Sequence, residues 1–233
     1  MIAMLRRECK AFWHSWFFYT FCACFFLSLG VLMSVFHVSY QYANFEFLLS
    51  YLTVALGVLL PILTIPLFRE ERKRGVARFL RSLPLSAKKI VLGKYLSLLF
   101  LLLVISVLLL LCPLLLGLFG TVYYPSAYMA IFAFFLFAFA ILSVDVFISL
   151  LCRNLWVSLA VTYGITGGLI ALVYLSSHLP ASVSEIVLRF SLFGTFVPFS
   201  FGIVDLRALI FYASVGTAFL LLTALCSSRL WKE

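Results

Sequence analysis

Hydrophobic residues form six long, uninterrupted runs, and polar residues are mostly confined to the short segments between them. The runs cover roughly residues 16–37, 47–68, 95–119, 127–151, 155–176 and 207–228. A membrane hydrocarbon core about 30 Å thick is crossed by about 20 apolar residues in a helix. Because the runs are continuously apolar rather than alternating, they predict helices and not the strands of a membrane β-barrel. We therefore predict an all-α, polytopic membrane protein with six transmembrane helices.

The composition agrees with a single membrane domain. Of the 233 residues, 65% are hydrophobic and 11% are charged, whereas a soluble domain is about 45–50% apolar and about 25% charged. No hydrophilic stretch is long enough to form a second domain, so residues 1–233 are expected to form one transmembrane domain. The first run lacks a small-residue cleavage pattern and is interpreted as a retained span rather than a signal peptide.

The basic and aromatic segment "LRRECKAFWHSW" precedes the first run. This make-up is typical of a helix that lies in the membrane interface, so we predict an N-terminal elbow helix. A plain anchoring flank with an aromatic belt explains the same residues equally well, and the sequence leaves both alternatives open.

Lysine and arginine are distributed very unevenly between the two sides of the predicted bundle. If the N-terminus is cytoplasmic, 15 of the 17 basic residues lie inside and only Arg189 and Arg207 lie outside. Basic residues in short loops stay on the cytoplasmic side, so both termini are expected there. Topology and attraction to anionic lipid then explain the net charge of +9, and nucleic-acid binding is not predicted. The six cysteines lie in spans or on the inner side, so no disulfide framework is expected.

Two spans carry residues that are unusual within membrane helices. Pro61 and Pro66 remove backbone donors from the second span. They predict a kinked helix whose prolines face protein or a pathway, with ordinary packing as the alternative. In the fifth span, Gly164 and Gly168 form a small-xxx-small pair, which allows two backbones to approach closely. Packing within the chain and a dimer seam remain equally open for this pair.

One ionisable residue, Asp145, lies inside an apolar run. A carboxylate at the centre of a membrane helix costs about 2.5–3.5 kcal/mol, and less towards its ends. Arg153 is eight residues further on, about 12 Å along the axis, which is too far for a good pair on the same helix. We predict an intramembrane charge pair with Lys94, at the start of the adjacent third span. Substrate or proton handling by Asp145 is the alternative.

Between the fifth and sixth runs lies a segment, roughly 177–205, that is too long for a tight turn and too polar to span. Ile186, Val187, Phe190 and Phe193 recur at helical spacing, which indicates a short amphipathic or re-entrant helix on the outer side. Asp205 is placed to accept backbone N–H groups as the N-cap of the last span.

Sequence signatures of an enzyme are missing from the chain. The segment "LGKY" lacks the upstream glycine and the hydroxyl of a phosphate-binding loop, so the chain is not expected to bind ATP by itself. The three histidines stand alone, which disfavours a metal site, and no nucleophile–base pair is apparent. We expect neither enzyme activity nor a cofactor.

The most polar stretch is "FREERKRGVARFLRSLPLSAKKIVLGKY", Phe68 to Tyr95, between the second and third spans. An apolar stripe with helical spacing and a basic opposite face predict an amphipathic helix that ends before Pro84. The stripe consists of Val76, Phe79, Leu80 and Leu83. A second helix can start after Ser86 and run into the third span. The residues alone leave open whether the amphipathic helix rests on anionic lipid or docks in the groove of a cytosolic partner.

This stretch resembles the signature of type-2 ATP-binding-cassette exporter permeases. In that family a span ends in Arg-Glu, a short helix and a Leu-Pro turn follow, and a Gly-Lys-aromatic segment starts the next span. The corresponding residues are Arg69, Glu70, Glu71, Gly75, Leu80, Leu83, Pro84, Leu85, Ser86, Ile90, Gly93, Lys94 and Tyr95. Val76 and Arg78 differ from the threonine and glutamate that are common there. "SLLCRN" (149–154) and "FSFGIVDLRALIFY" (199–212) are further similarities, the latter to the gliding-motility and related small-exporter branch.

The resemblance implies a half-transporter in a bacterial cytoplasmic membrane. Two such permease subunits, identical or not, would pair, and separate cytosolic ATPase subunits holding ATP and Mg²⁺ would dock beneath them. Helix 70–83 would be the coupling helix. The residues expected to engage the ATPase are Glu70, Glu71, Gly75, Val76, Phe79, Leu80, Leu83 and Pro84. The prolines of the second span and the glycine pair of the fifth are candidates for the dimer contact or the pathway.

Two other function classes were weighed against export. The pair Glu70 and Glu71 suggests an intramembrane protease of the prenyl-protease type, but that motif needs an arginine at the position of Gly75 and a later histidine motif. An ion-coupled secondary transporter centred on Asp145 is the third class, and no inverted repeat supports it. The transported substrate cannot be identified from the sequence.

Overall fold

A computed structural model of the protein describes residues 15–39, 44–73, 87–117, 122–152, 154–176 and 178–230, without the side chains of 37–39, 66–73, 87–90, 181–182 and 228–230. Within these ranges the secondary structure is helical and contains no strand. Six helices in the described part are long and apolar enough to cross a membrane. The predicted all-α fold, with six helices long and apolar enough to cross a membrane, is therefore confirmed for the described residues.

The helices follow one another in the predicted order. Helix α1 covers Trp16–Met33 and continues as a π-helical turn, Ser34–Ser39; α2 covers Phe45–Lys73, α3 Ala87–Leu109, α4 Leu111–Leu116, α5 Tyr124–Leu151 and α6 Leu155–Ser176. They are followed by α7 (Ala181–Phe190), a 3₁₀ turn (Gly194–Phe196), α8 (Val197–Ser200) and α9 (Leu206–Leu230). Each apolar span begins and ends within four residues of its predicted bounds.

Helix α5 lies at the centre of the bundle. It packs against α2, α3, α6, α8 and α9. Small side chains let the neighbouring backbones come close without losing contact. The buried alanines of this helix are Ala127, Ala130, Ala133, Ala138 and Ala140. The fourth apolar run is thus the core of the fold, in contact with protein rather than lipid over much of its length.

Aromatic rings and one glycine hold α5 against α9 and the segment that precedes it. The ring of Phe137 meets those of Phe193, Phe196 and Tyr212 edge to face, with centroids 5.2, 6.0 and 5.8 Å away. Such edge-to-face pairs are favoured by the ring quadrupoles. On α9, a Cβ added at Gly216 would overlap the ring of Phe139. Glycine at this position therefore allows the two helices to pack closely.

Helix α2 continues without a break through both prolines of the second span. Pro61 is buried, which agrees both with the predicted position and with ordinary packing, whereas the side chain of Pro66 lies outside the described residues. Neighbouring hydroxyls supplement the backbone bonding near Pro61. Thr64 Oγ1 donates to the carbonyl of Leu60 at 3.1 Å, and Tyr163 Oη on α6 donates to that of Val58 at 3.1 Å.

The third span is interrupted, which the sequence analysis did not predict. Helix α3 ends at Leu109 and α4 begins at Leu111, with Leu110 as a turn. Pro113 explains this position, because it has no N–H to donate to the carbonyl of Leu109, and its ring clashes with that carbonyl. The short helix α4 forms the last part of the third span.

The segment between the fifth and sixth spans forms two short helical pieces that meet at 90°, the shape of a re-entrant loop or a broken span. The stripe predicted for this segment is divided. Ile186 and Phe190 on α7 are exposed, whereas Phe193 is buried after α7 has ended. Beside these exposed residues on α7, Arg189 forms an ion pair with Glu185.

Polar and aromatic contacts fix the turn of this bent segment. Tyr212 Oη on α9 donates to the carbonyl of Leu192 at 2.9 Å, and both residues are buried. The ring of Phe193 lies over Gly57 of α2, where an added Cβ would be 2.9 Å from Phe193 Cζ. The segment is therefore attached to both α9 and α2.

Asp205 caps the last span, as predicted. Its Oδ1 accepts a hydrogen bond of 2.9 Å from the backbone N–H of Arg207, in the first turn of α9. This bond satisfies one of the N–H groups that have no partner inside the helix.

Two predicted elements fall partly or wholly outside the described residues. Of the segment predicted to form the elbow helix, 5–16, all but the last two residues lie outside the described residues, and so do residues 74–86, which contain most of the predicted coupling helix. The first four residues of that helix, 70–73, continue α2. Helix α3 starts at Ala87 and runs into the third span, as expected for the helix after Ser86.

Gly194→Ala tests how closely the bent segment is packed. An added Cβ would lie 2.6 Å from the carbonyl oxygen and 2.9 Å from the Cα of Leu188, both backbone atoms that cannot rotate away. We expect unfolding in detergent at a lower temperature, corresponding to a loss of about 2 kcal/mol. Gly30→Ala is the control, because no heavy atom lies within 4 Å of the added Cβ. Equal thermal stability of the two variants would contradict the packing described.

Candidate functional site

A cavity of about 930 Å³ opens at the end of the bundle where α2 and α5 begin. Four elements form its wall: the π-helical turn after α1, the start of α2, the start of α5 and the end of α8. The lining residues are Val35, Phe36, Asn44, Glu46, Phe47, Tyr123, Ser126, Ser200, Phe201 and Gly202. Most of this wall is apolar or aromatic, with a few polar groups among the rings. We call this space the α2–α5 cavity.

Glu46 is the acidic residue of the α2–α5 cavity. It is only 7% exposed and lies in the first turn of α2, where the helix dipole favours a negative charge. The hydroxyl of Ser126 on α5 donates to its Oε1. Ser126 Oγ also lies 3.0 Å from the carbonyl of Tyr123. Glu46 therefore links the starts of α2 and α5 while it lines the cavity.

Aromatic side chains form one side of the cavity. Phe36 and Phe47 line it, and with Tyr51, which does not, they make a three-ring cluster with centroid distances of 5.1–5.5 Å. Phe201 and Tyr123, which also line the cavity, are 71% and 73% exposed. The cavity thus combines fixed rings on one side with accessible rings at its edge.

The turn after α8 depends on a glycine. Gly202 has φ +73°, in the left-handed region that residues with a Cβ adopt at a cost. Its N–H donates to the carbonyl of Phe199, and the N–H of Ile203 to that of Pro198, both at 3.1 Å. These two bonds are the helix ending known as the Schellman motif. They turn the chain at the cavity wall and direct it towards α9.

A second polar group lies inside the bundle, between α3 and α5. The hydroxyls of Tyr95 and Ser143 are 2.8 Å apart. Both also lie within hydrogen-bonding distance of the carbonyl oxygen of Phe139, Tyr95 Oη at 3.2 Å and Ser143 Oγ at 2.8 Å. This cluster joins the start of α3 to the last third of α5, far along α5 from the cavity.

The two residues of the predicted charge pair lie close in sequence to Ser143 and Tyr95, and both are buried. Asp145 is 0% exposed and Lys94 is 1% exposed. Neither carboxyl oxygen of Asp145 has a hydrogen-bond partner in the described part of the chain. Asp145 follows Ser143 by two positions, which is about 200° around the helix axis. Ser143 lies on the face of α5 that is turned towards α3, so Asp145 lies on a different face. The pair with Lys94 stays a prediction.

The glycine pair of the fifth span lies on the surface of the chain. Gly164, Gly167 and Gly168 are exposed, and no heavy atom of the described chain lies within 4 Å of a Cβ added at any of them. Packing within the chain, one of the two explanations left open by the sequence, is not made by the described residues.

The predicted ATPase-coupling residues are not brought together by the described structure. Gly75, Val76, Phe79, Leu80, Leu83 and Pro84 lie outside the described residues. For Glu70 and Glu71 only the backbone is described, as part of α2. Their roles stay predictions.

Glu46 and Ser126 are not among the site residues predicted from the sequence. A signal was present, since Glu46 is a carboxylate at the start of an otherwise apolar run, two residues after Asn44. Ser126 carries no such signal, because small hydroxyl residues occur throughout the spans. Among the described residues, no group of three or more His, Cys, Asp or Glu side chains could hold a metal ion.

Asp145→Asn distinguishes an unpaired carboxyl from a charge pair. Because neither oxygen has a described partner, removing the charge is expected to keep or raise the unfolding temperature in detergent. Breaking a buried ion pair would instead cost about 3–5 kcal/mol. A loss of that size, matched by Lys94→Met and not increased in the double variant, would establish the predicted pair.

Comparison with known proteins does not assign the cavity or the buried polar cluster. No family model, no curated protein and no solved structure matches the chain.

Proposed function

We propose that the chain is the membrane-spanning permease subunit of an ATP-binding-cassette exporter. Separate cytosolic ATPase subunits would hydrolyse ATP and drive a substrate outward, so the chain itself would perform no enzyme chemistry. The observation that carries the proposal is the order and spacing of residues 69–95, which resemble the corresponding segment of type-2 exporter permeases. Six apolar helices, with this segment between the second and third, support it.

The connections of this segment suit the transmission of force. Helix α2 continues to Lys73 and α3 begins at Ala87, so the segment joins two long helices directly. Both helices pack against the central α5. ATP-driven movement of helix 70–83 would therefore shift α2 and α3 against α5, and a helix transmits such a push better than a flexible loop.

The proposed orientation follows from basic residues and from which helix ends meet. The end of α1 and the starts of α2 and α5 share the α2–α5 cavity, so they lie on one side of the bundle. Residues 69–89, with eight of the 17 basic side chains, connect the opposite ends of α2 and α3. Basic loops are retained in the cytoplasm. The cavity then faces outward, and both termini are cytoplasmic.

A second permease subunit would complete the transporter. The exposed face of α6 around Gly164 and Gly168 is a suitable contact, because its backbone is not covered by side chains of the described chain and small residues favour close helix packing in membranes. The subunits would be identical or different, and lipid would cover the remaining apolar surface.

Asp145 supports an ion-coupled secondary transporter as a second candidate. A fully buried carboxyl with no hydrogen-bond partner among the described residues is costly in a membrane, and such groups often mark ion or proton pathways. The two candidates differ in their energy source: export by the first requires ATP, and transport by the second requires an ion gradient.

Purification of the native complex tests the proposal. The full chain, isolated in mild detergent from the cells that produce it, is expected to carry a cytosolic ATPase subunit with a phosphate-binding loop and to hydrolyse ATP. Replacing the lysine of that loop should abolish hydrolysis but leave the complex assembled. An intact complex without an ATPase, with transport that follows an ion gradient, would reject the exporter in favour of the second candidate.

Phe79→Asp tests the coupling helix. A carboxylate in an apolar groove is costly to desolvate, so we expect ATP-driven transport to fall about tenfold or more, equivalent to at least about 1.4 kcal/mol, while membrane insertion is unchanged. Phe79→Leu keeps an apolar side chain and should retain most of the transport. Full coupling in the aspartate variant would count against the assignment of helix 70–83.

A further inference from the structure

The α2–α5 cavity has the dimensions and lining of a small-molecule site. Its volume, about 930 Å³, lies within the range of about 300–1,000 Å³ that ligand pockets commonly have. Such pockets are mostly apolar, with a few polar groups that orient the ligand. Here the apolar part is largely aromatic, and the polar groups gather around Glu46.

The charge of the lining is opposite to that of the whole chain. The protein carries +9, yet the described residues that line the cavity include Glu46 and no lysine or arginine. One carboxylate oxygen accepts the Ser126 hydroxyl. The other, Oε2, has no hydrogen-bond partner within the described chain, and it is not among the fully buried unpaired atoms. A cationic group in the cavity would find this oxygen available.

The rings add a second reason to expect a cation. A positive charge over the face of an aromatic ring is stabilised by about 0.5–2 kcal/mol, more when water is excluded. Phe36 and Phe47 lie in a fixed cluster beside Glu46, and Phe201 is accessible at the edge. These rings also provide apolar surface for the uncharged part of a ligand.

We propose that the α2–α5 cavity binds an organic cation that carries an apolar group, with Glu46 as its counter-charge. A bare metal ion fits poorly, because Mg²⁺ and Ca²⁺ need at least six oxygen ligands. The described lining offers one carboxylate, surrounded mainly by aromatic rings. An anion would be repelled by Glu46. The same chemistry is found in free hydrophobic cations and in the ammonium headgroups of membrane lipids.

The site is defined by the described residues and does not require export. The further statement that this cation is the cargo rests on the proposed function, in which the cavity faces outward and would be the last part of the permease to contact the cargo. Binding and ATP-driven transport are therefore measured separately.

Binding of radiolabelled tetraphenylphosphonium to the purified full chain in neutral detergent tests the site. We expect saturable binding of about one cation per chain, and no saturable binding of radiolabelled tetraphenylborate, which has the same shape and a negative charge and is measured in a separate assay. Glu46→Gln should weaken binding about tenfold or more, because a charge-assisted contact is lost. The matched control is Glu185→Gln, which removes the same charge from an exposed ion pair on α7 that does not line the cavity.

A second variant covers the case in which Glu46→Gln fails to fold. Phe201 is 71% exposed, so its truncation should leave the bundle intact. Phe201→Ala is expected to weaken binding about two- to fivefold, whereas Phe190→Ala, equally exposed but outside the cavity lining, should not. Absence of saturable binding, equal binding by the cavity and control variants, or saturable binding of the anion at the same site would overturn the proposal.

Added lipid identifies the source of the cation. Competition by phosphatidylethanolamine, but not by phosphatidylglycerol, would assign the site to a lipid headgroup, and competition by neither would assign it to free cations. Either result supports the site. Binding that depends on Glu46 in a complex without an ATPase would keep the site and reject the exporter, whereas an ATPase complex without such binding would do the reverse.

Discussion

The packing of neighbouring helices around α5 is the interaction on which the rest of the structure depends. Lipid chains are as apolar as leucine, so hydrophobicity places helices in the membrane but does not arrange them. Here the helices are arranged by close packing, which involves the alanines of α5, the rings around Phe137, and Gly216, against which Phe139 packs. Because α2, α3 and α9 all rest on α5, the cavity at one end and the buried hydroxyl cluster towards the other are held by the same helix.

The polar groups of the bundle are separated by depth. Glu46 and Ser126 lie where α2 and α5 begin, and Tyr95, Ser143 and Asp145 lie near the other end of α5. Between them the buried residues of α5 are almost entirely apolar. Within the described residues, an apolar layer of α5 therefore separates the two groups of polar side chains.

Much of the fold could be predicted from the sequence, because membrane thickness fixes the length of each apolar run and the need for paired backbone groups fixes its conformation. The cap at Asp205 was equally predictable, since it depends on two neighbouring residues. The break before Pro113 could also have been predicted, because a proline inside a helical run has no N–H to donate and its ring clashes with the preceding turn. Glu46 could not be identified as a site residue in the same way, because it lines a cavity that forms only where four helix ends come together in the fold. The face of α5 on which Asp145 lies depends in the same way on tertiary packing, and the local sequence does not determine it.

The contact between Phe193 and Gly57 has a mechanical consequence. A ring seated over a position without a side chain hinders α2 from sliding or rotating about its own axis, so the freedom that remains to α2 is chiefly tilt. Gly57 lies about 18 Å along the helix from Phe45 and about 24 Å from Lys73, at 1.5 Å per residue. The helix is then a lever with its pivot near the middle. If α2 tilts as one rigid helix through Pro61 and Pro66, a displacement at the Lys73 end would appear at Glu46 in the opposite direction and about two-thirds as large.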